Sequence, residues 1–121
     1  MSRAPIPGAA TAMLAAAISL CIDFAPAHAA SFNCNARNLK PDEKTICDNR
    51  ALNDADVRMV TTFNMLTSLV AMGTRGDLQD EQREWLAKRQ QCGADAACIK
   101  AAYDARMKQL NDVFETLERP L

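Results

Sequence analysis

The chain has 121 residues, with 14 Lys and Arg against 15 Asp and Glu, and its formal net charge at pH 7 is −1. This length suits one small domain, and the near-neutral charge excludes a strongly basic nucleic-acid binder. It also gives no strong long-range attraction to a cationic partner, which leaves local clusters of charge as the groups that could act on one.

The first 29 residues have the pattern of a signal peptide. Arg3 gives a positive start, residues 9–22 are apolar, and Ala27-His28-Ala29 places small residues where signal peptidase reads them. The apolar stretch is shorter than the roughly 20 residues that span a bilayer. We therefore predict cleavage after Ala29 and a periplasmic or secreted mature domain of residues 30–121, with no membrane span.

The cysteines predict two disulfides. Cys21 lies in the apolar stretch and follows a leucine, which argues against a lipoprotein anchor. The other four lie in the mature domain, and an even number in a short exported chain is typical of disulfides. We favour the local pairings Cys34–Cys47 and Cys92–Cys98, although the sequence permits three arrangements. A zinc site is the alternative, but the cysteine spacings differ from those of structural zinc modules.

The mature chain has helical periodicity and no strand-like alternation. The first helix is predicted from Pro41 to about Cys47 or Asp48, because proline suits a first turn and Asp42 and Glu43 suit the positive end of the helix dipole. The second is predicted over about residues 53–72, with Asn53 or Asp54 as N-cap. Its apolar face repeats at three- and four-residue steps: Leu52, Ala55, Met59, Phe63, Leu66 and Val70.

Two glycines, Gly73 and Gly76, predict a loop after the second helix. The third helix is predicted from Asp77 or Asp80 to Cys92, where Gly93 stops it. The fourth runs from about Asp95 to Glu118, and its apolar stripe comprises Ile99, Ala102, Tyr103, Leu110, Val113, Phe114 and Leu117. The predicted fold is all-α, a small disulfide-stapled bundle of about four helices.

Several side chains are expected to stabilise this bundle. Trp85 and Leu86 are predicted core residues, and Arg89 or Arg106 is expected to form a partly buried salt bridge with Asp56. The second helix also carries apolar residues outside its main stripe. We expect them to widen the core, with an exposed patch for a partner as the alternative: Val57, Val60, Met65 and Leu69.

An enzymatic role is not expected. Residues 30–121 contain no histidine, which excludes Ser-His and Cys-His nucleophilic pairs, and no phosphate-cradling glycine loop is present. Asp77, Asp80, Glu81 and Glu84 could in principle run glycoside hydrolysis, but the start of a helix accounts for them through its dipole. We expect neither a cofactor nor a metal.

Four stretches of the mature chain combine into one pattern: Cys34…Pro41-x-Glu43-Lys44-x-Ile46-Cys47, Leu52-x3-Asp56, Gln82-Arg83-x-Trp85-Leu86-x2-Arg89-x2-Cys92-Gly93, and Cys98-x4-Tyr103-x2-Arg106-x3-Leu110. Over about residues 32–117 this pattern resembles the LprI-type lysozyme-inhibitor domain family. The sequence departs from it at Ala55, where leucine is frequent, and at Phe63, where tyrosine is common. The resemblance implies a small, exported, helical domain with disulfides.

The resemblance also implies a function, the binding of a lysozyme and the blocking of its cleft. Such a cleft carries two catalytic carboxylates, so a cation on a protruding loop would complement it. Lysozymes are usually cationic, so acidic residues around that loop would favour encounter. From loop exposure and charge we predict Arg75 as the plug and Asp77, Asp80 and Glu81 as the acidic rim.

Two other functions stay open at this point. One is a periplasmic protein-binding module, such as a stress or immunity protein, whose target is not a lysozyme. The other is a small-ligand carrier, which would need a cavity in a bundle that has little volume for one. A lysozyme assay separates the first alternative from the inhibitor hypothesis.

Overall fold

A computed structural model describes residues 30–117, which form four helices: α1 (Pro41–Asp48), α2 (Arg50–Leu69), α3 (Met72–Gln91) and α4 (Ala96–Glu115). No strand occurs within these residues, and the predicted all-α bundle is confirmed. The predicted signal peptide, residues 1–29, lies outside the described residues. None of the four described helices combines the length and the apolar character that a membrane crossing requires.

Both favoured disulfides are confirmed. Cys34 pairs with Cys47 and attaches the segment before α1 to the last turn of that helix. Cys92 pairs with Cys98 and joins the end of α3 to the first turn of α4. All four cysteines are used, so the zinc alternative is wrong.

Local polar groups set several helix ends. The Asn49 side chain accepts the N–H of Leu52 at 3.2 Å, so α2 begins earlier than predicted and Asn49, not residue 53 or 54, is its N-cap. Asp95 caps α4 by accepting two backbone N–H groups at 3.0 and 3.1 Å. Gly93 adopts φ 55°, the left-handed conformation that ends a helix, and confirms the predicted stop of α3. The last helix ends at Glu115, before its predicted end at residue 118.

The loop predicted over Gly73 and Gly76 is wrong. The junction between α2 and α3 consists of Val70 and Ala71, and α3 already includes both glycines. A Cβ atom built at either glycine would meet nothing within 4 Å, so neither position requires glycine. Each glycine costs a helix about 1 kcal/mol, and the packing of Leu78 and the rest of α3 outweighs that cost.

The core lies between α2 and α4, the two helices in most extensive contact, and α1 touches all three other helices. The predicted stripes of α2 and α4 supply most of the buried side chains. Trp85 of α3 is buried as predicted, and its indole N–H donates to the carbonyl oxygen of Ala102 at 2.8 Å. The predicted packing faces are therefore confirmed, except that Phe114 of the α4 stripe is 37% exposed and that the outer side of α2 keeps apolar side chains in solvent.

Candidate functional site

Each of the four helices contributes one polar side chain to a cluster inside the core. Asp42 comes from α1, Asp56 from α2, Arg89 from α3 and Tyr103 from α4. The guanidinium of Arg89 donates to Asp42 Oδ2 at 2.9 Å and to the Tyr103 hydroxyl at 3.1 Å. Tyr103 in turn donates to Asp56 Oδ1 at 2.7 Å. We call these four residues the buried cluster.

The predicted salt bridge to Asp56 is confirmed for Arg89, whose Nη1 lies 3.7 Å from Asp56 Oδ1. The alternative with Arg106 is wrong, because that guanidinium points to the groove between α3 and α4 and binds Glu81 Oε2 at 3.1 Å. Arg106 also donates to the carbonyl oxygen of Leu78 at 3.2 Å. Arg89 therefore joins α3 to the buried carboxylates of α1 and α2, whereas Arg106 joins α4 to α3.

Aromatic rings enclose the Arg89 guanidinium. Its Cζ atom lies 5.7 Å from the ring centroid of Phe32, 5.6 Å from that of Trp85 and 6.0 Å from that of Tyr103. Burial raises the pKa of the Tyr103 phenol well above its ordinary value; Arg89 opposes this rise and Asp56 adds to it. The cluster is buried, and its hydrogen bonds and ion pairs join all four helices to one another.

Asp42 was missed as a buried residue by the sequence prediction, which placed it at a helix dipole. Its side chain is fully buried, and its Oδ1 atom has no hydrogen-bond partner among residues 30–117. The available signal was its spacing from Ile46, since residues four apart share one face of a helix. Ile46 is buried, so Asp42 faces the same core.

The predicted binding residues lie on α3 and not on a loop. Arg75 is half-buried, and its Nη2 donates to the carbonyl oxygen of Val70 at 3.4 Å, so it fastens the helix junction and does not protrude. Asp77, Asp80 and Glu81 are exposed, as predicted for a rim. Asp80 forms an exposed ion pair with Arg83, whereas Glu81 pairs with buried Arg106.

The helix dipole does not account for these acidic residues. The start of α3 at Met72 places no acidic residue in its first turn, and the dipole effect fades beyond that turn. The earlier explanation of the carboxylates of residues 77–84 is therefore wrong. Asp77 and Glu84 form no ion pair within residues 30–117.

An open groove of about 590 Å³ runs between α3 and α4 beside this acidic surface. Its polar edge includes Glu81, Glu84 and Asp112, with Lys88 as a basic residue, and Trp85 and Val113 contribute apolar surface. We call the exposed carboxylates of residues 77–84 together with this groove the acidic face of α3. Such a surface suits contact with a cationic partner.

The junction of α2 and α3 exposes three apolar side chains. Met65, Leu69 and Met72 are 56%, 59% and 84% exposed, and we call them the apolar corner. The expectation that the extra apolar residues of α2 widen the core is wrong for Met65 and Leu69. It is confirmed for Val60, which packs against the core, whereas Val57 is 36% exposed.

Residues 30–117 contain no group of three or more His, Cys, Asp or Glu side chains placed to hold a metal ion. Comparisons with protein-family models, curated proteins and solved structures found no match. The described residues offer two exposed surfaces as candidates for contact with a partner, the acidic face of α3 and the apolar corner.

Proposed function

We propose that this chain is an exported lysozyme-inhibitor-like protein, which binds a cationic peptidoglycan hydrolase through the acidic face of α3 and blocks its cleft. One observation carries the proposal. Residues 77–84 hold four acidic side chains and one basic side chain, all exposed on one helix and beyond the reach of its dipole. Asp77 and Glu84 form no ion pair within residues 30–117, so their carboxylates are available to a partner, and exposed carboxylates attract a cationic protein.

Rigidity supports an inhibitory role. Cys92–Cys98 fixes the end of α3 against α4, and Arg106 fixes its middle through Glu81. Arg89 ties α3 to α1 inside the core. A surface held in this way loses little conformational entropy on binding, which favours tight complexes.

The blocking element differs from the loop plug expected from the sequence. Arg75 is engaged with Val70, so its charge is not offered to a cleft. The apolar corner is exposed and precedes the acidic residues on the same helix, because Met72 begins α3 and Asp77 follows it. We therefore assign electrostatic encounter to the acidic face of α3 and the apolar contact to the corner.

The test is a peptidoglycan turbidity assay with the oxidised, exported protein titrated against c-, g- and i-type lysozymes. We expect saturable inhibition of at least one class near equimolar concentration. A protein with the same two disulfides that inhibits none of the three classes would contradict the proposal.

A second candidate is a periplasmic protein-binding module, of the stress or immunity type, with a target other than a lysozyme. The apolar corner favours it, because a mostly apolar contact does not require a cationic hydrolase. In that case Met72→Ser would abolish capture of an envelope protein, whereas the lysozymes would stay fully active in the turbidity assay.

A further inference from the structure

We propose that the buried cluster provides a seat for the N-terminal ammonium that cleavage after Ala29 creates at Ala30. Signal-peptide removal would then add a counter-charge to the core, and the mature chain would be more stable than the same chain with an extended N-terminus. This inference rests on the predicted cleavage site and is independent of the proposed inhibitor function.

The charges of the cluster are unbalanced within the described residues. Asp42 and Asp56 are both fully buried, and Arg89 is the one cation that the described residues bring to them. Tyr103, the fourth member, stays neutral because burial raises the pKa of its phenol. Since buried charge without a partner is costly, the cluster favours one more positive group.

The chain places Ala30 next to one carboxylate of the cluster, that of Asp56. Ser31 donates its backbone N–H to Asp56 Oδ2 at 2.6 Å, whereas Arg89 and Tyr103 approach the other oxygen, Oδ1. The nitrogen of Ala30 is one residue away from that of Ser31, within about 4 Å. Cleavage turns it from a neutral amide into an ammonium with three donors.

The first residues of the mature chain are anchored at the cluster, although chain ends are usually loose. Ala30 is half-buried, and Phe32 packs its ring over Arg89. The disulfide Cys34–Cys47 then fixes the segment to α1. These contacts hold the new terminus close to Asp56, whose carboxylate is fully buried, and opposite charges attract each other more strongly near a protein interior than in bulk water.

The groups around the ammonium predict its titration. Asp42 from α1 and Asp56 from α2 favour the ammonium, Arg89 from α3 and the partial burial of Ala30 disfavour it, and Tyr103 from α4 is neutral. Asp56 accepts the neighbouring Ser31 N–H, so the proposal predicts that the carboxylates prevail and that the α-amino pKa lies above its ordinary value of about 7.7–8.0. A raised pKa in the folded state stabilises the protein below that ordinary pKa, and the gain is lost as pH rises through the folded value.

The experiment compares two proteins exported with the natural leader, each with its N-terminus established by intact mass. One is the wild-type chain, and the other has Gly-Ser inserted between Ala29 and Ala30, which moves the ammonium two residues away and keeps the Ser31 N–H. We expect the wild type to begin at Ala30 and to melt about 4–8 °C higher at pH 7. The difference should vanish at a pH well above the α-amino pKa.

Asp56→Asn supplies the control, because in that background the insertion should leave the melting temperature unchanged. If this variant does not fold, NMR titration of the wild-type α-amino group decides, with a pKa at least about one unit above 7.7–8.0 expected. Equal melting temperatures of the two exported proteins, an ordinary α-amino pKa, or a mature chain that begins at another residue would each overturn the proposal.

Discussion

Arg89 Nε donates to Asp42 Oδ2 across 2.9 Å, and both side chains are at most 3% exposed. The two residues are 47 positions apart and belong to α3 and α1. A charge pair of this kind adds little net stability over an apolar pair of the same size, but the loss of one partner leaves the other charge buried and alone. The pair therefore selects one arrangement of the helices and penalises others.

Replacing one member of this pair should destabilise the fold strongly. Arg89→Met keeps most of the side-chain volume and removes the charge, so Asp42 and Asp56 lose their cation. We expect a loss of about 3–5 kcal/mol in the free energy of unfolding, measured by urea denaturation followed by circular dichroism. Arg83→Met is the matched control on the same helix; its ion pair with Asp80 is exposed, and the expected change is below about 1 kcal/mol. Equal losses in the two variants would contradict the role of Arg89.

Tyr103 should make the protein sensitive to alkali. It is the one tyrosine of the chain, so near-ultraviolet absorbance reports its ionisation alone. Burial raises the pKa of its phenol in the folded state, and the unfolded chain ionises near pH 10. The neutral Tyr103 phenol thus stabilises the folded state below about pH 10, and this stabilisation is lost as the pH rises above that value. We expect the phenolate absorbance to appear only together with unfolding, and a native protein that ionises at about pH 10 would refute this.

Tyr103→Phe provides the companion variant. It leaves Asp56 Oδ1 without its hydroxyl donor and Arg89 Nη1 without its acceptor. At pH 7 we expect a loss of about 1–3 kcal/mol in the free energy of unfolding. Above pH 10 the variant should lose stability less steeply than the wild type, since no phenol is left to ionise.

Signals that act within one helical turn predicted most of the fold. Pro41 at the start of α1, Gly93 after α3 and Asp95 before α4 each mark an end that the structure confirms. The disulfides also followed from short separations along the chain. The α2–α3 junction could not be predicted in this way, because Val70 and Ala71 carry no turn or capping signal, and Gly73 and Gly76 lie within α3.

The buried cluster and the surfaces could be predicted only in part. Asp42 and Arg89 meet because α1 packs on α3. The periodicity of a single helix predicts which of its faces is buried, but it does not predict which side chains of another helix that face meets. The same holds for Leu69, whose exposure depends on where α2 ends and which helices cover it. The exposure of Asp77, Asp80 and Glu81 was predicted from the sequence, but their position beyond the first turn of α3 follows only from the start of that helix at Met72.

The two disulfides should contribute unequally. Cys34 and Cys47 are 13 residues apart, whereas Cys92 and Cys98 are separated by 6. Chain-entropy estimates give about 3 kcal/mol for the first and about 2.4 kcal/mol for the second. Cys34 also anchors the segment that bears Phe32 against Arg89, so its loss should cost more than chain entropy alone. Urea denaturation of the two double Cys→Ala variants measures this, and a larger loss for Cys92 and Cys98 would contradict it.

The proposed function predicts that the acidic face of α3 governs the rate at which a lysozyme binds. The double variant Asp77→Asn with Glu84→Gln removes the two carboxylates of this helix that have no ion pair within residues 30–117. Charges at the rim of an interface act mainly on association, so we expect the association rate constant to fall about tenfold at low salt. The difference should shrink toward 1 M salt, where the Debye length is only about 3 Å.

The control is Asp54→Asn with Asp104→Asn, an equal charge change at exposed positions of α2 and α4. The two double variants change the net charge equally and differ only in where the charge is lost. If the control slows association as much as the α3 variant does, net charge attracts the hydrolase and the acidic face of α3 does not.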